Sequence, residues 1–117
     1  MPADDAILAV VDAHLAAFNA RDPDAVTLGF CPDGAFSAGS DLVEGQRAIH
    51  ALFADSFALP AQATLHRRSA IVQGDTAACE LLERIVVAGT VVEVPVAAFY
   101  EVRDGLLARV RVYRDPA

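Results

Sequence analysis

The first half of the chain carries apolar residues at helical spacing, three or four positions apart, in three segments. Asp4 or Asp5 can cap the first of the three predicted helices. Asp22-Pro23 opens a short second helix that ends at Gly29, and Pro60 stops the third. The inward-facing positions are predicted to be Ile7, Leu8, Val11, Leu15 and Phe18 in the first helix, Val26 and Leu28 in the second, and Ile49, Leu52, Phe53 and Phe57 in the third.

The second half is extended and is divided by short turns. Strands are predicted at 63–72, 76–87, 90–102 and 106–114, with a short strand at 35–38 after a turn at Pro32-Asp33-Gly34. Because the connections between the long strands are so short, these strands are antiparallel neighbours. Three helices on one face of this curved antiparallel sheet predict a single α+β domain over residues 1–117, shaped like a cone with a mouth.

The turns also predict the strand register, and with it the inner face of the sheet. A two-residue loop at Ala88-Gly89 sets Glu83 opposite Val94, and a three-residue loop at 103–105 sets Val94 opposite Arg114. A slip of one residue would exchange the two faces. The predicted inner face is mostly apolar and comprises Cys79, Leu81, Glu83, Ile85, Val92, Val94, Val96, Ala98, Tyr100, Ala108, Val110, Val112 and Arg114.

Glu83 is the most informative residue of this inner face. A carboxylate buried between Leu81 and Ile85 must be paired, hydrated or protonated, because burying it bare is very unfavourable. Arg114 lies two strands away, about 9–10 Å from backbone to backbone, and both side chains are long enough to meet. Two interpretations stay open: a structural ion pair at the rim of the cone, or a pocket carboxylate that acts as a base or orients a histidine.

His14 and Tyr100 are two further polar residues in apolar surroundings. His14 lies within the apolar stripe of the first helix, three positions after Val11. It is either a core histidine or the partner of Glu83 in a proton transfer. Tyr100, predicted to lie opposite Ala108, either donates its phenol hydrogen to a ligand carbonyl or is a half-buried aromatic residue with its hydroxyl in water.

Composition and charge narrow the class of protein. Hydrophobic residues make up 55% of the 117 residues, which excludes a disordered chain. The formal net charge of −7 disfavours nucleic acid and membrane surfaces as partners. All nine basic residues are arginines, which excludes a lysine nucleophile and a Walker-type phosphate site. The acidic N-terminus is unlike a signal peptide, so we expect a cytoplasmic protein.

The two cysteines and the remaining polar residues do not form a recognisable metal or cofactor site. Cys31 and Cys79 are far apart in the sequence and are predicted to be buried apolar residues rather than a zinc site or a redox pair. The sequence shows no glycine-rich phosphate loop and no metal-ligand cluster. We therefore expect neither a metal nor a cofactor.

Four stretches that together span most of the chain give it a family resemblance. Residues 14–26, 30–36, 44–53 and 100–115 resemble the nuclear transport factor 2-like superfamily, in particular its SnoaL-like branch. The resemblance implies a cone-shaped α+β barrel with a deep apolar pocket, and often a homodimer through the outer face of the sheet. The pocket-lining residues are then expected to be Phe18, Phe30, Phe36, Phe53, Phe57, Leu81, Val94, Val96, Ala98, Val110 and Val112.

The acidic residues of related enzymes are absent at the matching positions. By the resemblance, His14 occupies the position of the catalytic tyrosine of ketosteroid isomerases, and Phe30 and Phe53 those of its two supporting tyrosines. Ala38 and Ala98 occupy the positions of the two catalytic aspartates, so steroid isomerisation by that mechanism is not expected.

Two further family mechanisms are also incomplete. The catalytic aspartate of polyketide cyclases falls near Val112. An epoxide-hydrolase Asp-Arg-Asp set cannot be placed, although Glu83 and Arg114 are a distant analogue of it.

The leading hypothesis is a small enzyme that takes a compact, mostly apolar carbonyl or cyclic compound. It would perform cofactor-free acid/base chemistry such as isomerisation or cyclisation, or a hydrolase-type reaction. His14 would move the proton, Glu83 would orient or share it, and Tyr100 or Arg114 would steady an enolate oxygen. The alternatives are a binding protein without catalysis and a dimeric scaffold.

The outer face of the sheet combines apolar residues with charges of both signs. Such a face is too apolar for solvent alone and predicts a homodimer. Its residues are Glu80, Arg84, Glu93, Arg109 and Arg111 beside Leu82, Val86, Val91, Ala97 and Phe99.

Overall fold

The computed structural model describes residues 2–114, which form three helices and one six-stranded sheet. The elements are α1 (Pro2–Asn19), α2 (Pro23–Leu28), β1 (Phe30–Ala38), β2 (Asp41–Glu44), α3 (Gln46–Phe57), β3 (Gln62–Gln73), β4 (Thr76–Val87), β5 (Thr90–Arg103) and β6 (Leu106–Arg114). The three predicted helices and the four long strands are confirmed. The predicted cap of the first helix is wrong, because α1 begins at Pro2 and Asp4 and Asp5 lie within its first turn. Asp22 caps α2 by accepting a hydrogen bond from the Ala25 amide, as its sequence predicts.

The strands are ordered β2-β1-β6-β5-β4-β3 in a curved sheet. Neighbouring strands are antiparallel except β1 and β6, which run parallel. The sheet has two edges, β2 and β3, so it is not closed into a barrel by strand pairing, and the helices cover its concave face. The α+β cone predicted from the sequence is confirmed in this open form.

The predicted turn at Pro32-Asp33-Gly34 is wrong, because these residues lie inside β1. They form an irregularity between Phe30 and Ala35, where the pairing with β6 shifts. Gly34 is required there: a Cβ atom at this position would lie 3.0 Å from the Cys31 carbonyl oxygen and 3.0 Å from the Phe30 ring. The turn-forming residues therefore bend a strand instead of reversing the chain.

The predicted β4–β5 register is confirmed, with Glu83 opposite Val94. The predicted β5–β6 register is wrong by two residues. The loop is the two-residue turn Asp104-Gly105, in which both residues have positive φ, and a bulge in β6 adds one residue after Leu107. Arg114 therefore lies opposite Val96.

This bulge also moves the partner of Tyr100. Tyr100 lies opposite Val110, whereas a position opposite Ala108 was predicted. Because a shift of two residues preserves the side-chain alternation, the predicted inner positions of Val110, Val112 and Arg114 survive the error. Ala108 was also predicted on the inner face, but it is the extra residue of the bulge, and the buried Leu107 takes the inner position opposite Val102.

The core lies between the helices and the concave face of the sheet. Ile7, Val11 and Leu15 of α1 are buried in it, as predicted, and both cysteines are buried and free. Leu28 is 73% exposed, so its predicted inward position is wrong. It lies two residues after the buried Val26, about 200° around the helix axis, and therefore on the opposite side of α2.

The outermost part of the β4–β5 hairpin extends beyond the core. Val92, predicted on the inner face, is 51% exposed, and its neighbours Val87 and Val91 are exposed too. Successive side chains still point to opposite faces of the sheet here, but no core residues pack over the inner face at this end. The inner face is consequently buried only where the helices lie over it.

The side chain of Asn19 joins the end of α1 to the edge strand β3. Its amide nitrogen donates to the Leu65 carbonyl oxygen at 2.9 Å, and its amide oxygen accepts from the Leu65 amide at 2.8 Å. Asn19 thus hydrogen-bonds to β3 much as a neighbouring strand would. These two hydrogen bonds hold the edge strand β3 against α1.

We expect Asn19→Ala to lower the free energy of unfolding by about 2 kcal/mol, about 1 kcal/mol for each lost hydrogen bond. Urea denaturation measures this change. Gln62→Ala removes an exposed carboxamide from the same strand and is the control, with an expected effect within about 0.5 kcal/mol. Equal effects of the two substitutions would contradict the role of Asn19.

Candidate functional site

A cavity of about 520 Å³ lies at the wide end of the cone, and we call it the mouth cavity. Phe18 from α1, Phe36 from β1 and Phe53 from α3 form its aromatic wall. The Phe53 ring packs edge-on against the other two, at centroid distances of 5.0 Å to Phe36 and 6.2 Å to Phe18. The volume falls within the range of about 300–1,000 Å³ that is typical of small-molecule sites.

Glu83 and Arg114 bring opposite charges to the mouth cavity. The Glu83 side chain is only 6% exposed, whereas that of Arg114 is 45% exposed, and Arg114 Nη1 lies 3.0 Å from Glu83 Oε1. Arg114 reaches across β5, since its strand partner Val96 is itself paired with Leu81 of β4. The structure therefore shows the ion pair that the sequence allowed, at the rim of a cavity.

The ion pair leaves the carboxylate incompletely satisfied. Glu83 Oε1 is buried and has no aligned hydrogen-bond partner among residues 2–114, although the guanidinium charge lies close to it. A carboxylate oxygen can accept more than one hydrogen bond. Glu83 thus retains acceptor capacity inside the cone.

His14 lies deeper, inside an aromatic box. Its ring is 5.7 Å from that of Phe30, 6.3 Å from that of Phe53 and 5.9 Å from that of Tyr100, measured between centroids. The residue is 6% exposed, and its Nδ1 atom has no hydrogen-bond partner in the described part of the chain. Burial lowers the pKa of His14 to about 4, so the imidazole is neutral at pH 7.

His14 does not line the mouth cavity. It lines a separate cavity of about 260 Å³ that also includes Gly29 and Gly105. Gly105 and Arg114 lie at the two ends of β6, so the two cavities belong to opposite ends of the cone. Phe53 lines the mouth cavity and also packs on the His14 ring. The structure therefore does not bring His14 and Glu83 together in one cavity.

Tyr100 belongs to the same aromatic box and is 1% exposed, so the interpretation of a half-buried ring with its hydroxyl in water is wrong. Burial raises the pKa of its phenol, which stays protonated at physiological pH. Like His14, it is absent from the lining of the mouth cavity. Of the four predicted catalytic residues, Glu83 and Arg114 share the mouth cavity, and His14 and Tyr100 share the box.

The predicted pocket residues also divide into two groups. Phe18, Phe36 and Phe53 line the mouth cavity. Most of the others belong to the core: Phe30, Leu81, Val96, Ala98 and Val110 are buried in it, and Phe57 and Val112 are half-buried against it. Val94 is half-buried and lies outside this cluster. The core is thus larger, and the cavity smaller, than the sequence suggested.

Sequence reasoning missed part of the cavity lining, including two carboxylates. Asp55 lies in α3 and, with Leu52 and Ser56, forms a stripe at positions i, i+3 and i+4; Leu59 extends the lining just after the helix ends. That spacing was available in the sequence as a second face of the helix. Asp41 lies at the start of β2, a strand that no sequence signal had predicted.

The described residues offer no metal site: no group of three or more His, Cys, Asp or Glu side chains within residues 2–114 is arranged to hold an ion. None of the helices in this range is long and apolar enough to cross a membrane.

The buried neutral state of His14 makes stability depend on pH. The unfolded chain takes up a proton at this residue near pH 6.5, but the folded chain does so only near pH 4. Stability is therefore lost as the pH falls from about 6.5 towards 4, by about 3 kcal/mol from this residue. In His14→Phe, we expect urea denaturation at pH 7 and pH 4.5 to show a correspondingly smaller loss than in the wild type.

The control for this prediction is His66→Gln, because His66 is exposed on β3. It should keep the acid destabilisation of the wild type. An unchanged pH dependence in His14→Phe would show that His14 is not held neutral by burial.

Solved structures of proteins that are described as different kinds of enzyme or fold share the fold of this chain. A protein with a ketosteroid isomerase-like fold from Catenulispora acidiphila, solved in complex with trimethylamine, is 22% identical, with a TM-score of 0.83 over 92% of this chain and 85% of that one. The epoxide hydrolase/cyclase-like enzyme SalBIII, described in pyran ring formation in the polyether salinomycin, is 18% identical, with a TM-score of 0.85 over 99% and 95%. A Xanthomonas campestris pv. campestris protein named for the polyketide cyclases is 25% identical, with a TM-score of 0.80 over 95% and 91%.

These likenesses establish the fold, and the sequence itself establishes the family. No curated protein sequence matches the chain. The model of the family described as "SnoaL-like domain" matches residues 11–110, which is most of the chain. The protein therefore belongs to the SnoaL-like domain family of the nuclear transport factor 2-like superfamily.

Proposed function

We propose that the protein binds a compact, mostly apolar carbonyl or cyclic compound in the mouth cavity and transfers a proton of this ligand with the Glu83 carboxylate. The observation that carries the proposal is the position of Glu83: a buried carboxylate with spare acceptor capacity, on the wall of a cavity lined by phenylalanine rings. A carboxylate on a cavity wall can act as a general base when a ligand C–H lies within hydrogen-bond reach of it.

Arg114 complements Glu83 in this chemistry. When Glu83 removes a proton next to a ligand carbonyl, negative charge develops on the carbonyl oxygen, and the nearby guanidinium can stabilise it. Glu83, now protonated, returns the proton to a different carbon in an isomerisation. In a cyclisation, the enolate carbon instead attacks a second carbonyl carbon of the same molecule, the π electrons of that carbonyl move onto its oxygen, and this oxygen takes the proton back from Glu83.

This assignment moves proton transfer from His14 to Glu83. His14 packs against the Phe53 ring in the aromatic box and is absent from the lining of the mouth cavity. In the proposed mechanism, His14 supports Phe53 at the cavity wall, Tyr100 packs against His14, and neither of these two residues contacts the ligand.

The comparisons support the reaction class only in general terms. SalBIII is named as an epoxide hydrolase/cyclase-like enzyme, and the Xanthomonas protein is named for polyketide cyclases. Both names denote chemistry on organic ring systems, which is compatible with a cavity of this size and polarity.

We expect Glu83→Gln to lower proton transfer by about 10²–10⁴-fold, because the amide cannot act as the base. The assay follows conversion of a β,γ-unsaturated cyclohexenone to its conjugated isomer by ultraviolet absorbance, and exchange of its α-hydrogens in D₂O by NMR. Glu80→Gln is the matched control, since Glu80 lies on the same strand but is exposed on the other face.

The wild type and both variants should show the same circular dichroism spectrum, so that a loss of activity is separated from a loss of fold. Full activity in Glu83→Gln would refute the assigned base. Binding of the ketone by the wild type without turnover or exchange would instead indicate the non-catalytic binding protein that the sequence left open.

We also propose that two copies associate through the outer face of the sheet. Glu80, Ala97 and Tyr113 lie in register across β4, β5 and β6 and border a groove of about 370 Å³. Nearby, Arg111 stacks on Phe99, and its Nε atom is buried without a hydrogen-bond partner among residues 2–114. A face with apolar area and both charge signs can pair with a second copy of itself around a two-fold axis.

Sedimentation velocity tests this association. We expect a concentration-dependent dimer for the wild type and a monomer for Ala97→Glu, since a charge in the middle of the face would be desolvated without a partner. Leu28→Glu places the same charge on an exposed residue of α2 and should leave the dimer intact. A wild-type monomer at high concentration would contradict the proposal.

A further inference from the structure

The polar side chains of the mouth cavity are mostly acidic. Glu83, Asp41 and Asp55 supply three carboxylates, whereas Arg114 is the single cationic residue among the described residues of the lining. The Arg114 guanidinium already lies against Glu83. The two aspartates are exposed and have no comparable cation in that lining.

The wall of the cavity adds a second feature that favours a cation. Phe18, Phe36 and Phe53 surround the same volume, and the faces of aromatic rings attract alkylated and protonated amines. Phenylalanine offers no hydroxyl or indole nitrogen that would compete for a polar group. Aromatic rings beside carboxylates are a combination that binds organic cations in preference to anions.

The buried carboxylate shows that this is more than an acidic surface. Glu83 lies inside the cone with an oxygen that lacks an aligned partner, while Asp41 and Asp55 lie towards solvent. A ligand that fills the cavity would extend from the buried Glu83 to the exposed aspartates. Its reacting carbonyl would lie near Glu83 and Arg114, and its other end would lie near the aspartates and the phenylalanine rings.

We propose that the compound taken by this cavity carries a positive charge, as an alkylated or protonated amine attached to an apolar body. This inference rests on the proposed function, because it specifies the charge of the ligand in the same cavity. The ammonium group lies between Asp41, Asp55 and the aromatic wall. A carboxylate or phosphate in that place would face the two aspartates and would be disfavoured.

The test compares two probes of nearly the same shape. Benzyltrimethylammonium carries the charge, and neopentylbenzene replaces its nitrogen with carbon. NMR titration of the labelled protein, with the same small fraction of methanol for each probe, gives both dissociation constants. We expect the ammonium compound to bind at least about tenfold more tightly in low salt, and the difference to shrink in high salt.

Two double variants locate the effect. Asp41→Asn with Asp55→Asn should remove most of the preference for the charged probe while leaving the neutral probe unaffected. Asp24→Asn with Asp75→Asn changes the net charge equally at exposed positions outside the cavity lining, and should keep the preference.

The outcomes separate this inference from the function on which it rests. If the neutral probe binds as tightly as the charged one, the inference is wrong and the apolar binding cavity stands. An equal loss in the two double variants would also overturn it, because the effect would then be one of overall charge. If neither probe nor the cyclohexenone shifts the signals of the mouth cavity, the proposed function fails as well.

Discussion

The placement of a carboxylate on the concave face of the sheet constrains much of this structure. Glu83 faces inward between Leu81 and Ile85, and burying it without an opposite charge would be strongly unfavourable. Arg114 provides that charge only because β6 presents it on the same face. Had β6 continued from Leu107 without its extra residue, the alternation would have turned Arg114 to the outer face. The bulge in β6 is thus what pairs the two charges.

The interior has two levels with different chemistry, separated by Phe53. Towards the mouth are charged groups, solvent access and the three phenylalanine rings. Beneath them, His14 and Tyr100 are held in their uncharged forms by burial, with the imidazole pKa lowered and the phenol pKa raised. Ala38, where the family resemblance places an acid of ketosteroid isomerases, lines the mouth without a polar group. The charges of the mouth cavity come from Asp41, Asp55, Glu83 and Arg114.

Local patterns in the sequence predicted the helices and long strands of this fold, but they did not predict the pairing of strands that are distant in the sequence. Helical spacing and turn residues identified α1, α3 and the β4–β5 register, and through it the inward position of Glu83. The parallel pairing of β1 with β6 joins residues about 75 positions apart and leaves no local pattern. The sequence did not reveal the bulge in β6. A three-residue loop without a bulge places residues 110, 112 and 114 on the same face as a two-residue loop followed by a bulge. The cavity was overestimated because apolar periodicity cannot distinguish core residues from cavity walls.

Stability alone does not explain the Glu83–Arg114 pair. The guanidinium is 45% exposed, so water screens its attraction, while the carboxylate bears nearly the full loss of hydration. An apolar residue at position 83 would continue the stripe of Leu81 and Ile85 and would suit the core at least as well. A fold that retains a charge under these conditions gives up stability at that position, a pattern that is typical of residues serving a ligand. The half-exposed partner adds to this argument, because the Arg114 guanidinium lines the cavity and is accessible to a ligand there.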